Sequence, residues 1–322
     1  MMWDNIVGLH IKRCNRNLLL VNAIIQAGLL TLGFANYRYL VNCFRGPFPI
    51  SHEALDRIVD PTHDAHYYVS IDNLSVVETG LQSLQKTVDK YTGEVKNQTI
   101  TATFFVAKDS RPLIIKSPSE SRATQYTGAL VAVPPDVRDY FQRTFLDEKH
   151  PFEEVFAPFM LDATEFRGDA YIGLCLCIPV GLLAAWNIKK AVARIRNAQT
   201  SPIYKSLDHY GQPPEFVAQA IDEEFKTHNE CSPISAVNLL PSWLLHRTFF
   251  HFTVMQINEI IWIHEKVTTH SVNFIPTGKT YAIVIHDATG RTIEVNGRRS
   301  KEKISSLVTV LQARIPWAVF GY

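Results

Sequence analysis

Three short clusters hold residue types that could do chemistry. His63-Asp64-Ala65-His66 places two imidazoles and a carboxylate within four residues, the donor types a divalent metal takes. In an extended segment those histidines point to opposite faces, and no third ligand of matching spacing lies near, so a solvated loop is the expectation. Cys175-x-Cys177 sits inside an apolar run with no His or acidic neighbour to activate a thiolate, so packing is its expected role. Thr277-Gly278-Lys279-Thr280 ends like a phosphate-binding loop, but Asn273 stands where glycine is needed and a strand pattern follows. The chain contains no serine-nucleophile elbow, zinc-protease helix motif or dinucleotide fingerprint. No catalytic residue, cofactor or metal site is therefore assigned.

The elements that must position any site are dominated by two apolar segments. Asn17 to Tyr37 is a run of 21 residues without a charge, and Ala170 to Ile188 is one of 19 between Asp169 and Lys189. At about 1.5 Å per helical residue each crosses roughly one hydrocarbon thickness. Both are predicted to span a membrane as helices. Gly33-Phe34-Ala35 also offers a signal-cleavage pattern, but the apolar run is longer than a signal peptide needs, and the N-terminus is expected to be retained.

Charge sets the expected orientation. The net charge of +1 speaks against a general nucleic-acid binder. Residues 1 to 16 carry 3 basic against 1 acidic side chain, residues 36 to 170 carry 14 against 19, and residues 189 to 322 carry 15 against 11. Lys12, Arg13 and Arg16 precede the first span, and Lys189, Lys190, Arg194 and Arg196 follow the second, so both termini are expected in the cytoplasm. Asn22, Gln26 and Gly33 share one face of the first helix, and Gly173, Cys177, Gly181 and Ala185 form a small-residue stripe on the second. That pattern suits a packed helix pair in lipid. Pro179 is expected to kink the second helix.

The resulting division is a cytoplasmic N-terminus (1–16), a first span (17–37), an extracytoplasmic β-rich module (38–169), a second span (170–188), a basic and helical connector (189–235) and a C-terminal module (236–322). In the β-rich module, residues 66–71, 99–107, 112–117 and 127–133 read as strands of a small barrel or curved sheet. Segments 135–145 and 151–161 read as short helices opened by proline. In the connector, residues 214–229 form a helix with Phe216, Val217, Ala220, Ile221 and Phe225 as its apolar set.

From Ala236 seven short strand patterns follow, divided by Pro241, a Pro276-Thr-Gly hairpin and an Asp287-Ala-Thr-Gly turn. A closing helix over 301–314 carries Ile304, Leu307, Val308 and Leu311 on one face. This order of seven strands and one helix resembles a pleckstrin-homology-like (PH-like) domain of the bacterial kind. The segments AIDEEF, LLPSWLL, INEIIWIHEK, GKTYAIVI and RIPWAVFGY resemble an uncharacterised family of two-pass bacterial membrane proteins, most convincingly over 214–322. The resemblance implies a fold and a bacterial plasma-membrane topology, and brings no established activity. The C-terminal module is expected to fold when residues 200–322 are expressed alone.

The fold expected is thus an α+β membrane protein, with a small-barrel-like outer module and a PH-like inner one. Its expected role is a non-enzymatic binding, sensing or scaffold protein of the bacterial envelope, whose partners are membrane lipids and a protein partner or a second copy. Rival readings are a membrane enzyme with its site near His63, Asp64 and His66, and an accessory subunit of a transport complex. Lys189, Lys190, Arg194 and Arg196, with Arg298, Arg299, Lys301 and Lys303 before the last helix, are candidate contacts to lipid headgroups.

Overall fold

The computed structural model describes residues 5–88, 95–108, 111–118, 122–146, 150–228, 230–231, 236–272, 275–297 and 300–321. The chain opens with α1 (Ile6–Ala35), α2 (Tyr37–Arg45), β1 (Phe48–Pro49) and α3 (His52–Leu55). Next come β2 (Tyr68–Ile71), β3 (Val76–Val88), β4 (Val95–Ala107), β5 (Leu113–Ser117) and β6 (Tyr126–Ala132). Then α4 (Pro135–Phe145), α5 (Phe152–Val155), β7 (Phe159–Asp162) and α6 (Gly168–Arg196) lead to α7 (Pro202–Lys205) and α8 (Pro214–Thr227). The last part holds β8 (Glu230–Cys231), β9 (Val237–Leu239), β10 (Trp243–Arg247), β11 (Phe252–Gln256), β12 (Ile260–Val272), β13 (Ile275–Asp287), β14 (Thr292–Asn296), α9 (Lys301–Arg314) and β15 (Val319–Phe320). The fold is mixed α+β with three open sheets. It divides into a central unit, Gly28–Val180, and a terminal unit, Met1–Ala27 with Gly181–Tyr322.

The central unit is built on one sheet of seven strands in the order β1-β2-β6-β7-β5-β4-β3. The expected small barrel is not formed among the described residues. Its edges are a two-residue strand and a 13-residue one, and strands so mismatched cannot share the stagger that closure requires. Adjacent residues of each central strand serve opposite faces. Phe105, Ile115, Leu161 and Phe159 pack with Leu55, Val69 and Ile71 on one side, while Phe104, Ile114 and Met160 pack with Val137, Phe141, Phe152 and Phe156 on the other. A sheet covered on both faces needs apolar residues in sequence rather than in alternation.

Two further sequence expectations fail here. Segment 151–161 is helical only over α5, and its second half is β7, which enters the sheet between β6 and β5. A helix there would leave that central position empty. Strand β3 carries no clear strand pattern in the sequence, because VVETGLQSLQKTV mixes polar residues and Gly80 among its apolar ones. Gly80 sits at φ +75° where the pairing with β4 slips between Glu78 and Gln82, the left-handed geometry that glycine accepts without strain.

The terminal unit holds two sheets of four strands, β11-β10-β9-β8 and β14-β13-β12-β15. Leu244 and Met255 from the first sheet meet Ile263, Ile283, Ile285, Ile293 and Val295 from the second, and Ile304, Leu307 and Leu311 of α9 close the same core. Ser300 caps α9 by accepting the Lys303 amide at 3.3 Å, and Pro316 follows its end. Of the expected separate strand over 270–275, residues 270–272 are the tail of β12, 273 and 274 lie outside the described residues and Ile275 opens β13, and Pro276 and Gly278 lie within β13 rather than in a turn. The Asp287–Gly290 turn is present, with Gly290 at φ +85°.

The first of these sheets is also buried on its outer face. Trp243, Leu245, Phe252 and Val254 pack there against Val217, Ala218 and Ile221 of α8, Tyr204 and Leu207, and Val7, Ile11 and Cys14 of α1. Phe216, expected in the apolar set of α8, is 62% exposed. The C-terminal module therefore draws part of its core from the opposite end of the chain, so residues 200–322 alone are an incomplete core.

Candidate functional site

The described residues contain two helices, α1 and α6, long and apolar enough to cross a membrane. α1 starts at Ile6, well ahead of the uncharged run, and α6 continues without interruption through Pro179. Within the terminal unit the two helices exchange side-chain hydrogen bonds. Asn187 Nδ2 donates to Asn22 Oδ1 at 3.3 Å, and Gln26 Nε2 donates to the Gly181 carbonyl at 2.6 Å. Asn22 is buried and also donates to the Leu18 carbonyl. Among the small residues of α6, Gly173, Cys177 and Gly181 are half-buried, and Ala184 is buried where Ala185 is exposed. A Cβ added at Gly33 or at Gly173 would meet open space, so neither marks a close approach of backbones.

The basic candidates distribute along the terminal unit. Lys190 and Lys189 place their ammonium groups 5.0 and 6.0 Å from the centre of the Trp186 ring, a cation–aromatic cluster at the end of the apolar run. Arg194 lines a cavity described below, and Arg196 is exposed. Lys301 and Lys303 are exposed in the first turn of α9. Arg298 and Arg299 lie outside the described residues.

Two adjoining cavities occupy the junction of α1 with β10, β11 and the segment after α6. One, of about 500 Å³, is walled by His10, Arg13, Cys14, Asn17, Arg247 and His251 among others. The other, of about 390 Å³, shares Cys14 and His251 and adds Arg194, Ser201 and Phe250. Asn17 Nδ2 donates to the Phe249 carbonyl at 2.9 Å and ties the β10–β11 turn to α1. That turn is closed by Thr248, whose amide donates to the His251 carbonyl at 2.8 Å and whose hydroxyl accepts the His251 amide at 2.9 Å. Its tip carries Phe249 and Phe250, 58% and 42% exposed, with rings perpendicular at 4.8 Å.

The electrostatics of this junction are those of a cationic wall around a neutral imidazole. His10 stacks on Phe252 at 4.5 Å. Burial, then the charges of Arg247 and Arg13, push its pKa down to about 4. Burial raises the Cys14 thiol and makes it a poor nucleophile. The Ser201 hydroxyl is 1% exposed and has no hydrogen-bond partner. The sequence pattern uses Arg13 for orientation only, names Arg194 both for orientation and as a headgroup candidate, and does not single out His10, Ser201, Arg247 or His251. The one local signal was Phe249-Phe250 flanked by Arg247 and His251, an apolar pair in what is otherwise a turn.

A different arrangement occupies the outer face of the second sheet. Trp262 stacks on His264 at 4.4 Å and on His286 at 4.7 Å, beside the Lys266–Glu294 ion pair at 2.9 Å. Burial, then His286 and Lys266, lower the His264 pKa. At the edge of that sheet, burial would raise the pKa of Asp287, but hydrogen bonds from Thr289 and from the backbone and guanidinium of Arg291 hold it below the usual carboxylate range. Arg291 reaches Glu259 and lies 4.9 Å over Tyr210, so this network pins the turn to its surroundings.

Among the described residues, no group of three or more His, Cys, Asp or Glu is arranged to hold a metal ion. His63 lies in a turn and His66 just after a bend rather than in the expected extended segment, and they have separate neighbours: His66 stacks on Phe48 at 3.9 Å, and His63 is exposed beside Asp60. No known protein-family model matches the chain, and no well-characterised protein matches it in sequence.

Proposed function

We propose that this is a two-span membrane protein with both termini on the cytoplasmic face, serving as a non-enzymatic binding or scaffold protein with a PH-like C-terminal module. The observation that carries the reading is the packing of Val7, Ile11 and Cys14 against Trp243, Leu245, Phe252 and Val254. Residues ahead of the first apolar run and residues after the second belong to one folded body, and a single body lies on one side of a bilayer. The basic flanks choose the cytoplasmic side.

Other features favour the same reading. Ile24, Leu30, Leu32 and Phe34 of α1 and Leu176, Leu182 and Leu183 of α6 are exposed, an apolar surface suited to lipid and costly in water. Asn–Asn and Gln–carbonyl bonds between helices replace hydration that lipid cannot supply. Two sheets around one core, closed by a C-terminal helix, follow the plan of a PH-like domain. Binding is favoured over catalysis because the sequence carries no nucleophile or acid–base motif.

Alkaline carbonate washing of membranes, followed by labelling of cysteine variants with an impermeant maleimide, tests the topology. The chain should stay in the membrane pellet. Gln85→Cys should label from outside, and Glu302→Cys only after permeabilisation. Release of the protein by carbonate, or equal labelling of both positions in sealed cells, would overturn the proposal.

A further inference from the structure

We propose that the junction cavities of the terminal unit hold the phosphate of an anionic phospholipid, with Arg13, Arg247, Arg194 and His251 facing the headgroup and Phe249 and Phe250 entering the headgroup–acyl boundary. The inference rests on the two-span reading and adds a ligand and a depth to it.

Height in the membrane is the first argument. Asn17 opens the uncharged run of α1 and holds the Phe249 carbonyl at 2.9 Å. If α1 crosses the bilayer, the β10–β11 turn lies where water gives way to hydrocarbon. Two neighbouring aromatic rings exposed at that level match the aromatic anchors of membrane interfaces. Neither ring is in a core cluster, so the exposed pair gains no burial within the protein and is free to enter lipid.

The walls supply the second argument. Among the described residues, those lining the two cavities include Arg13, Arg194, Arg247, His10 and His251 and no Asp or Glu. Guanidinium groups bind phosphate oxygens through paired N–H donors. After burial, the charges of Arg247 and Arg13 help keep His10 neutral, so positive charge reaches this cavity. Ser201 is an independent pointer. Its hydroxyl is buried, lines the smaller cavity and has no partner, and a buried polar group left unpaired is stabilised by an arriving acceptor.

The shared chemistry, a phosphate monoanion, could also come from inorganic phosphate in the cytoplasm. The exposed Phe249–Phe250 tip favours the lipid, because free phosphate has no use for it.

The test uses the full chain in phosphatidylcholine membranes with spin-labelled phosphatidylglycerol or spin-labelled phosphatidylcholine, read as the motionally restricted lipid fraction by electron paramagnetic resonance. The native chain should prefer phosphatidylglycerol by about twofold or more, and Arg13→Gln with Arg247→Gln should bring the ratio near unity. Lys266→Gln, away from the cavities, should keep the preference, and Arg13→Lys with Arg247→Lys should keep at least half of it. Phe249→Ser with Phe250→Ser leaves every cationic wall residue in place and decides the matter if the Gln variant does not fold. It should lower the preference by half or more. No preference in the native chain, or an unchanged one in the Gln or Ser variants, overturns the proposal. Stabilisation by millimolar inorganic phosphate in pure phosphatidylcholine, without any phosphatidylglycerol preference, overturns the lipid in favour of a soluble anion. Carbonate washing separates the two levels. A chain that stays in the membrane but shows no lipid preference fails only here, whereas a chain that washes off fails at the two-span reading itself.

Discussion

The two units solve the burial of a sheet differently. The central unit covers both faces of its one sheet with residues between 50 and 161, so its core is made from one continuous stretch of chain. The terminal unit covers the inner face of its first sheet with a second sheet and α9, and the outer face with α8 and the first turns of α1. The outer face of its second sheet carries the Trp262, His264 and His286 stack. A unit that borrows its cover from the far end of the chain couples its own folding to the placement of that end. In this protein the borrowed piece is the start of the first apolar helix.

Removing the borrowed piece should produce the largest effect. Burial of Val7 and Ile11 is worth about 1.5–3 kcal/mol each, so a fragment of residues 197–322 should be less stable than one with residues 5–16 fused back by roughly 3–6 kcal/mol. Urea denaturation of both fragments measures this. The central fragment 38–167 should unfold cooperatively with no such supplement, and equal stability of the two terminal fragments would erase the contrast.

Single core truncations sharpen it. Phe141, fully buried in the central unit, and Leu311, fully buried in the terminal unit, should each be costly to truncate. Phe141→Ala should cost about 3–5 kcal/mol and Leu311→Ala about 2–5 kcal/mol. In the full chain in detergent, each substitution should lower only the unfolding transition of its own unit. A shift of both transitions by either change would show that the units do not melt separately.

Acid should distinguish the units next. His10 and His246 are buried in the terminal unit, and burial is the main cause that lowers both pKa values, His10 to about 4. A histidine whose folded pKa lies below its unfolded value stabilises the fold fully above the unfolded pKa, near 6.5, and loses that contribution as pH falls towards the folded value. Between pH 7 and pH 5 the terminal unit should lose about 1–2 kcal/mol. His10→Phe should flatten that slope. The central unit, with no fully buried histidine among its described residues, should change less over the same range.

The smallest effect belongs to Lys303→Ala on the exposed side of α9, expected within about 0.5 kcal/mol by denaturant titration. A cost comparable to that of Leu311→Ala would mean that α9 does not cover the core as described.

Local patterns were legible where one short segment carried the whole signal. The two long apolar helices, α4 with Pro135 at its start, and α9 with Ile304, Leu307 and Leu311 at helical spacing all follow from residues within a turn or two of each other. Strands β4, β5 and β6 were legible from β-branched and aromatic runs. β3 and β7 were not, because a polar strand with a bulge and a four-residue strand after a proline-opened helix carry little local preference.

By itself the sequence determined where the chain could cross a membrane and which flanks are basic, because hydrophobicity and charge are properties of each residue taken in order. It also determined the closing helix, whose apolar face repeats at helical spacing. Only the tertiary structure decided that seven strands of the central unit form an open sheet, since closure depends on matched edges far apart in sequence. Only it showed that Val7, Ile11 and Cys14 complete a core otherwise built beyond residue 197. The same holds for the candidate headgroup site. His10 and Arg13 stand more than two hundred residues from Arg247 and His251, and no local spacing rule connects side chains that meet only when a helix docks onto a sheet.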